Sequence, residues 1–219
     1  MITTLAVDKS QSNVNVTKKK NNREVVQNIC KDIVQQQKSI DILTIREFDS
    51  DSYTLETGKL TDASNVKRTK FVDNVCIKLA TEYSQDALRG TDIKPSWKEF
   101  FKAYQLRKEN NKINSNQSIE SIDVYIFFVD ALEDVPIAES SKQKISELET
   151  FKSSIKEFIQ DGNFILIFVV DKMDREKLAK SLADTINLQF DQESRLNIID
   201  IDDYKSKIEN IYKIARKKK

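Results

Sequence analysis

Two kinds of hydrophobic pattern alternate along this chain. Short, dense apolar runs are separated by longer segments in which apolar positions recur every three or four residues. The dense runs are Thr3 to Asp8, Ile40 to Phe48, Ile122 to Val129, Asn163 to Val170 and Leu196 to Ile201. Each has strand length, and Ile122–Val129 and Asn163–Val170 are almost continuously apolar, as strands buried on both faces are. A short strand at Tyr53–Glu56 follows the turn chemistry of Asp49-Ser50-Asp51 and forms a hairpin with the run before it. The segments between are amphipathic helices. One carries Val25, Val26, Ile29, Cys30, Ile33 and Val34, and another carries Phe71, Val72, Val75, Cys76, Leu79 and Ala80 and reaches Leu88. A third opens at Pro95 and has an aromatic face of Trp97, Phe100, Phe101 and Tyr104, read as core packing. Three more follow: Leu148 to Ile159, closed by Gly162; a helix with Leu178 and Leu182, capped by Asp174; and Tyr204 to Ala215. Thr57–Val66 and Glu109–Ser121 read as polar loops.

Strands alternating with helices over the whole length predict an α/β fold. The expected architecture is a doubly wound, mostly parallel sheet with one short antiparallel edge strand and helices on both faces. No repeat, low-complexity tract or composition shift divides residues 1–219, so a single domain is expected.

Composition narrows the function. Net charge is +1, which gives no overall pull toward nucleic acid or an anionic membrane. The basic runs Lys18–Lys20 and Lys217–Lys219 read as solvated segments. No apolar run has the length of a membrane span, and the first twenty residues lack the apolar core of a signal peptide. There is no histidine, which excludes a His-dependent triad, and only two cysteines, too few for a zinc site. Three glycines cannot build a glycine-rich dinucleotide loop, and there is no G-x-x-x-x-G-K-[ST] phosphate loop. Cys30 and Cys76 each sit among apolar residues and are expected as buried, reduced thiols, which with the missing leader gives a cytoplasmic protein.

The chemistry concentrates at strand ends. In sheets of this class ligands bind beyond the carboxyl ends of the strands. There the first strand runs into Asp8-Lys9-Ser10-Gln11-Ser12, the strand at 122 ends in Asp130, and Gly90-Thr91-Asp92 lies between two helices. One carboxylate and two alternating hydroxyls are hard oxygen donors suited to Mg²⁺, Mn²⁺ or Ca²⁺.

On these residues the chain resembles a von Willebrand factor A domain, from about residue 2 to residue 216. The features that carry the likeness are D-x-S-x-S after the first strand, the Gly-Thr-Asp loop before a helix, and Ile122-Asp123-Val124-Tyr125-Ile126-Phe127-Phe128-Val129-Asp130. The order of elements and Asp202-Asp203-Tyr204 before a closing helix add to it. The resemblance implies a metal-ion-dependent adhesion site with Asp8, Ser10 and Ser12 in its first loop, Thr91 in its second and Asp130 in its third. Thr57 and Thr61 are rivals for the threonine role. Lys9 and Gln11 stand where that family usually has glycine, and Ala131 follows Asp130 where the family has T-D-G. The implied function is non-enzymatic. A site of hydroxyls and two carboxylates stays electrophilic, and an Asp or Glu of a partner protein fills its open position, within a multiprotein assembly. The alternative is a degenerate small-GTPase-like scaffold without nucleotide hydrolysis, in which Asp171-Lys172-Met173-Asp174 is a remnant of N-K-x-D. A phosphoryl-transfer enzyme of the haloacid-dehalogenase type lacks the second acid of its D-x-D loop.

Overall fold

The computed structural model describes residues 1–9, 22–48, 55–82, 93–113, 122–129, 150–151, 153–157, 164–186 and 196–217. Six strands form one sheet in the order β3-β2-β1-β4-β5-β6. They are β1 (Ile2–Asp8), β2 (Ile42–Phe48), β3 (Leu55–Leu60), β4 (Asp123–Phe128), β5 (Phe164–Val170) and β6 (Leu196–Asp200). All neighbouring pairs are parallel except β2 with β3. The doubly wound arrangement expected from the pattern is therefore present, with its antiparallel strand at one edge.

Alternation along the strands divides the core in two. Leu5, Val7, Leu43, Ile45, Val124, Ile126 and Phe128 face one layer of helices, and Ala6, Phe48, Tyr125 and Phe127 face the other. The first layer holds α1 (Asn22–Gln36), the segment α2 (Asn65–Phe71) to α3 (Ile77–Glu82), and the last helix, α6 (Tyr204–Lys217). The second holds α4 (Lys94–Ile113), helical residues 150–151 and 153–157, and α5 (Lys172–Ile186). On α4 the aromatic stripe is core, as expected. Phe100 stacks on Tyr125 with ring centroids 4.0 Å apart, and Trp97 donates its indole N–H to Ser154 Oγ at 2.7 Å.

Several boundaries differ from the sequence reading, among them the start of α2 at Asn65 inside the segment read as loop. β3 takes in Thr57–Leu60, read as loop, while the expected start at Tyr53 lies outside the described residues. Its register with β2 shifts between Ile45 and Arg46, a bulge in which Thr57 is the extra residue. Gly58 is there because Val75 presses on it: a Cβ at that position would lie 2.6 Å from Val75 Cγ2. Ile40 belongs to the exposed turn before β2, and α4 continues to Ile113 through residues read as loop. At the start of α5 the cap is Asp171. Its Oδ1 accepts the Met173 N–H at 2.9 Å, and Asp174 sits inside the first turn.

The cysteine expectation is overturned. Cys30 and Cys76 form a disulfide between α1 and the helical turn Val72–Cys76, which joins α2 to α3. That turn is π-helical. In a regular α-helix Phe71 and Cys76, five residues apart, would stand about 140° out of phase. The wider turn brings both inward, and Cys76 meets the inner stripe of α1 with Cα atoms 5.5 Å apart. A buried thiol and a buried half-cystine leave the same apolar signature in sequence, so the pattern could not separate them. The pairing removes the cysteine argument for a reducing compartment. Among the described residues no helix is long and apolar enough to cross a membrane.

Candidate functional site

The carboxyl ends of β1, β2 and β4 lie side by side. Asp8 closes β1 opposite Phe48 of β2, and the Lys9 N–H donates to the Phe48 carbonyl at 2.8 Å, extending the ladder by one residue. On the other side Val7 is level with Phe128, so Val129 stands next to Asp8 in register. Asp8 is fully buried. A carboxylate in that position must be met by donors or positive charge, because desolvating an uncompensated charge costs several kcal/mol.

The alternation that turns Asp8 toward the α4 layer turns Lys9 away from it. The Lys9 ammonium pairs with Glu47 at 2.7 Å, and both side chains are largely buried. This answers the departure from the family pattern at that position. The lysine next to Asp8, where the resemblance has glycine, is neutralised by Glu47 on the opposite face of the sheet.

Of the five residues assigned to metal, Asp8 is described. Ser10, Ser12, Thr91 and Asp130 lie outside the described residues. Residues flanking their loops are described. Ala6 and Phe48 below Asp8, Ile93 two residues after Thr91, and Val129 immediately before Asp130 all belong to one buried hydrophobic cluster.

The two rival threonines fall elsewhere. Thr57 lies within edge strand β3 with its Oγ1 buried. Thr61 follows the end of β3, whose Leu60 pairs with Leu43 near the start of β2. It is therefore at the opposite end of the sheet from Asp8. Asp171 of the supposed N-K-x-D remnant is occupied in capping α5.

The opposite end of the sheet carries a polar network that sequence reasoning missed. Asp41, 3% exposed, accepts the Lys38 N–H at 2.7 Å and Arg216 Nη2 at 2.8 Å, and lies 3.1 Å from the Met1 nitrogen. Burial acts to raise the Asp41 pKa, but these hydrogen bonds and the nearby positive charge outweigh it and hold the carboxyl below the usual range. Tyr212 donates to Thr3 Oγ1 at 3.0 Å and receives Gln37 Nε2 at 3.3 Å, and burial pushes its phenol up to about 12. These groups fasten α6 to β1 and to the turn before β2. No periodicity marks them, because single polar positions inside apolar helices look like interruptions.

No family model matches the sequence, and no curated protein matches it. Solved structures do. A von Willebrand factor type A protein from Catenulispora acidiphila superposes with a TM-score of 0.56 at 13% identity, over 98% of this chain and 41% of that one. An aerotolerance-related membrane protein from Bacteroides fragilis gives 0.56 at 12% identity, over 99% of both chains. Proximal thread matrix protein 1 of the mussel byssus, in a form with a zinc-occupied MIDAS motif, gives 0.50 at 16% identity, over 98% of this chain and 45% of that one. The strand order, the antiparallel edge and these superpositions agree: the chain has the fold of a von Willebrand factor A domain.

Proposed function

We propose that residues 1–219 act as one domain, a metal-dependent protein-interaction module whose binding face is the carboxyl end of the sheet. Asp8, Ser10, Ser12, Thr91 and Asp130 would hold a divalent cation, Mg²⁺ with Mn²⁺ or Ca²⁺ as substitutes. The observation that carries this reading is the buried carboxylate of Asp8 at a strand end where the stems of two further loops share its hydrophobic support. The donor set fits a hard cation: two carboxylates and three hydroxyls, all oxygen. The bound ion would supply an electrophilic position for an acidic side chain of a partner protein. This chain's contribution is to hold Asp8 rigidly in the sheet and to keep Lys9 paired with Glu47 on the far side. The module is proposed as a non-enzyme: Asp8 is assigned to the cation, and the chain has no histidine to serve as a general base. A mussel byssus protein of the same fold carries zinc in its MIDAS motif, which supports a divalent ion here without choosing among metals.

Calorimetric titration of Mn²⁺ and Mg²⁺ into the wild type and Asp8→Asn tests the reading. One saturable site in the wild type, weakened at least about tenfold in the variant, is the expected result. Thr91→Ala should weaken the same site and Thr57→Ala should leave it alone. Equal metal binding by wild type and Asp8→Asn, with both folded by circular dichroism, would overturn it.

A further inference from the structure

At the end of the sheet opposite Asp8, apolar side chains stand in water on a braced frame. Helix α1 finishes there, and arginines from two other helices close it. Arg68 of α2 donates to the Gln37 carbonyl and Arg216 of α6 to the Gln36 carbonyl. The turn that follows is itself fastened. The Asp41 N–H donates to the Lys38 carbonyl at 2.9 Å, and the Asp41 carboxylate accepts the Lys38 N–H and Arg216. Ile40 stands on this turn and is 73% exposed. Val66, two residues before Arg68, is 66% exposed, and Ile214, two residues before Arg216, is 40% exposed. The two arginines thus bring the start of α2 and the end of α6 to the same corner as Ile40. Each of the three elements carries there an aliphatic side chain that the core does not use.

The near-neutral total charge conceals an asymmetry at this corner. Segments 36–41, 61–70 and 210–216 hold six cations, Lys38, Lys67, Arg68, Lys70, Lys213 and Arg216, against two acids, Asp41 and Asp62. Their net charge is +4 in a chain of net charge +1, so the remaining residues carry −3. Asp41 is buried, and Asp62 is paired with Lys67 at 2.8 Å. Lysine also accompanies each exposed aliphatic residue. Lys38 is two residues before Ile40, Lys67 follows Val66, Lys213 precedes Ile214, and all three lysines are exposed. That mixture discriminates among anionic partners. The core of a protein interface is depleted of lysine. A nucleic-acid backbone is met by cations and hydrogen-bond donors and gives aliphatic side chains nothing to bind. Segments that lie in a membrane interface combine the two, cations for anionic headgroups and aliphatic side chains for the acyl boundary.

We propose that this corner docks the protein on an anionic membrane surface. Ile40, Val66 and Ile214 enter the headgroup region, and Lys38, Lys70 and Lys213 meet lipid phosphate and carboxylate groups. Asp8 lies at the far end of the seven-residue strand β1, roughly 20 Å away at strand rise, so docking leaves the strand-end face open to a partner. The attachment is peripheral, needs no metal, and stands or falls apart from the reading of Asp8.

The full chain, in EDTA, is co-sedimented with vesicles of phosphatidylcholine alone and of phosphatidylcholine with about 30% phosphatidylserine. Binding to the anionic vesicles should exceed binding to the neutral ones at least about tenfold, and should fall by a similar factor in about 0.5 M salt. Lys38→Gln/Lys213→Gln should weaken it at least about tenfold. Ile40→Ser/Val66→Ser, which leaves every charge in place, should weaken it by about fivefold. All four side chains are exposed, so the melting temperature should not change in either variant. No binding to anionic vesicles, equal binding to both vesicle types, or full binding by folded Ile40→Ser/Val66→Ser would overturn the proposal. So would tighter binding to double-stranded DNA or to poly-glutamate than to the anionic vesicles, the first making nucleic acid the occupant and the second an acidic protein.

Discussion

The Cys30–Cys76 disulfide closes a loop with a sequence separation of 46 residues, and its contribution can be worked out from that length. Cross-linking removes conformations from the unfolded chain, and for a loop of this size the chain-entropy model gives about 4 kcal/mol at 25 °C. Removing both sulfurs in Cys30→Ala/Cys76→Ala also empties two fully buried positions, so the loss should not fall below that figure. With a urea slope of about 2.5 kcal/mol/M, the midpoint should drop by roughly 1.5 M. The slope itself should rise, because an uncrosslinked unfolded chain exposes more surface. The assay is equilibrium urea unfolding followed by Trp97 fluorescence, with and without reductant. Reductant should lower the wild-type midpoint most of the way to that of the double variant, which also lacks the two buried sulfurs, and leave the double variant unmoved. Two titratable thiols in unfolded, unreduced wild type, or a wild-type midpoint indifferent to reductant, would refute the reasoning.

Three further outcomes follow from other parts of the structure. Gly58→Ala should cost about 1–3 kcal/mol in chemical denaturation, because its Cβ would meet Val75 Cγ2 at 2.6 Å and Cγ1 at 2.9 Å, and Gly58→Ala/Val75→Ala should recover most of the loss; a neutral Gly58→Ala would show that the helix yields freely. Asp41 has a folded pKa below its unfolded value of about 3.9, so its contribution is present above that pH and is lost as pH falls through the folded pKa. Asp41→Asn should therefore lower the melting temperature at neutral pH and flatten the acid limb of the stability profile, and an unchanged acid limb would count against it. Trp97→Ala should destabilise by about 3–5 kcal/mol, because the indole is 2% exposed and bonded to Ser154; a loss below 1 kcal/mol would place that ring outside the core.

Much of the fold was legible because its signals are periodic. The continuous apolar runs at 122 and 163 became the interior strands β4 and β5, and the stripes at 25–34 and 204–215 became α1 and α6. Where reading failed, the cause was local. The β2–β3 bulge displaced the edge strand, since polar Thr57 and Lys59 on an edge carry no alternation worth reading. Helix α4 outran its apolar stripe into Asn-rich sequence because a helix needs no apolar residue once it leaves the core. The π-turn was hidden for a different reason. Phe71, Cys76 and Leu79 read as a plausible inner face whether or not the turn is widened, and only the meeting with Cys30 fixes the phase.

Of the candidate site, Asp8 was legible in another way, through chemistry rather than period. Asp8 could be singled out because a carboxylate that directly continues an apolar strand has few reasons to be there, and the structure gives it full burial at that strand end. What no spacing could supply is the role of Lys9, the residue that most clearly breaks the family pattern. Its effect depends on which side of the sheet it takes, and strand alternation alone settles that: a side chain adjacent in sequence to Asp8 is on the opposite face from it. The Glu47 partner that receives Lys9 sits across the ladder, one position from Phe48. A charge that looked incompatible with a cation is thereby removed from the site by the same alternation that presents the carboxylate. The loss of a glycine at this loop therefore does not by itself mean the loss of the site. Glu47→Gln, which frees the Lys9 ammonium, should weaken Mn²⁺ binding while Lys9→Gln should not, and the reverse order would remove this account of the substitution.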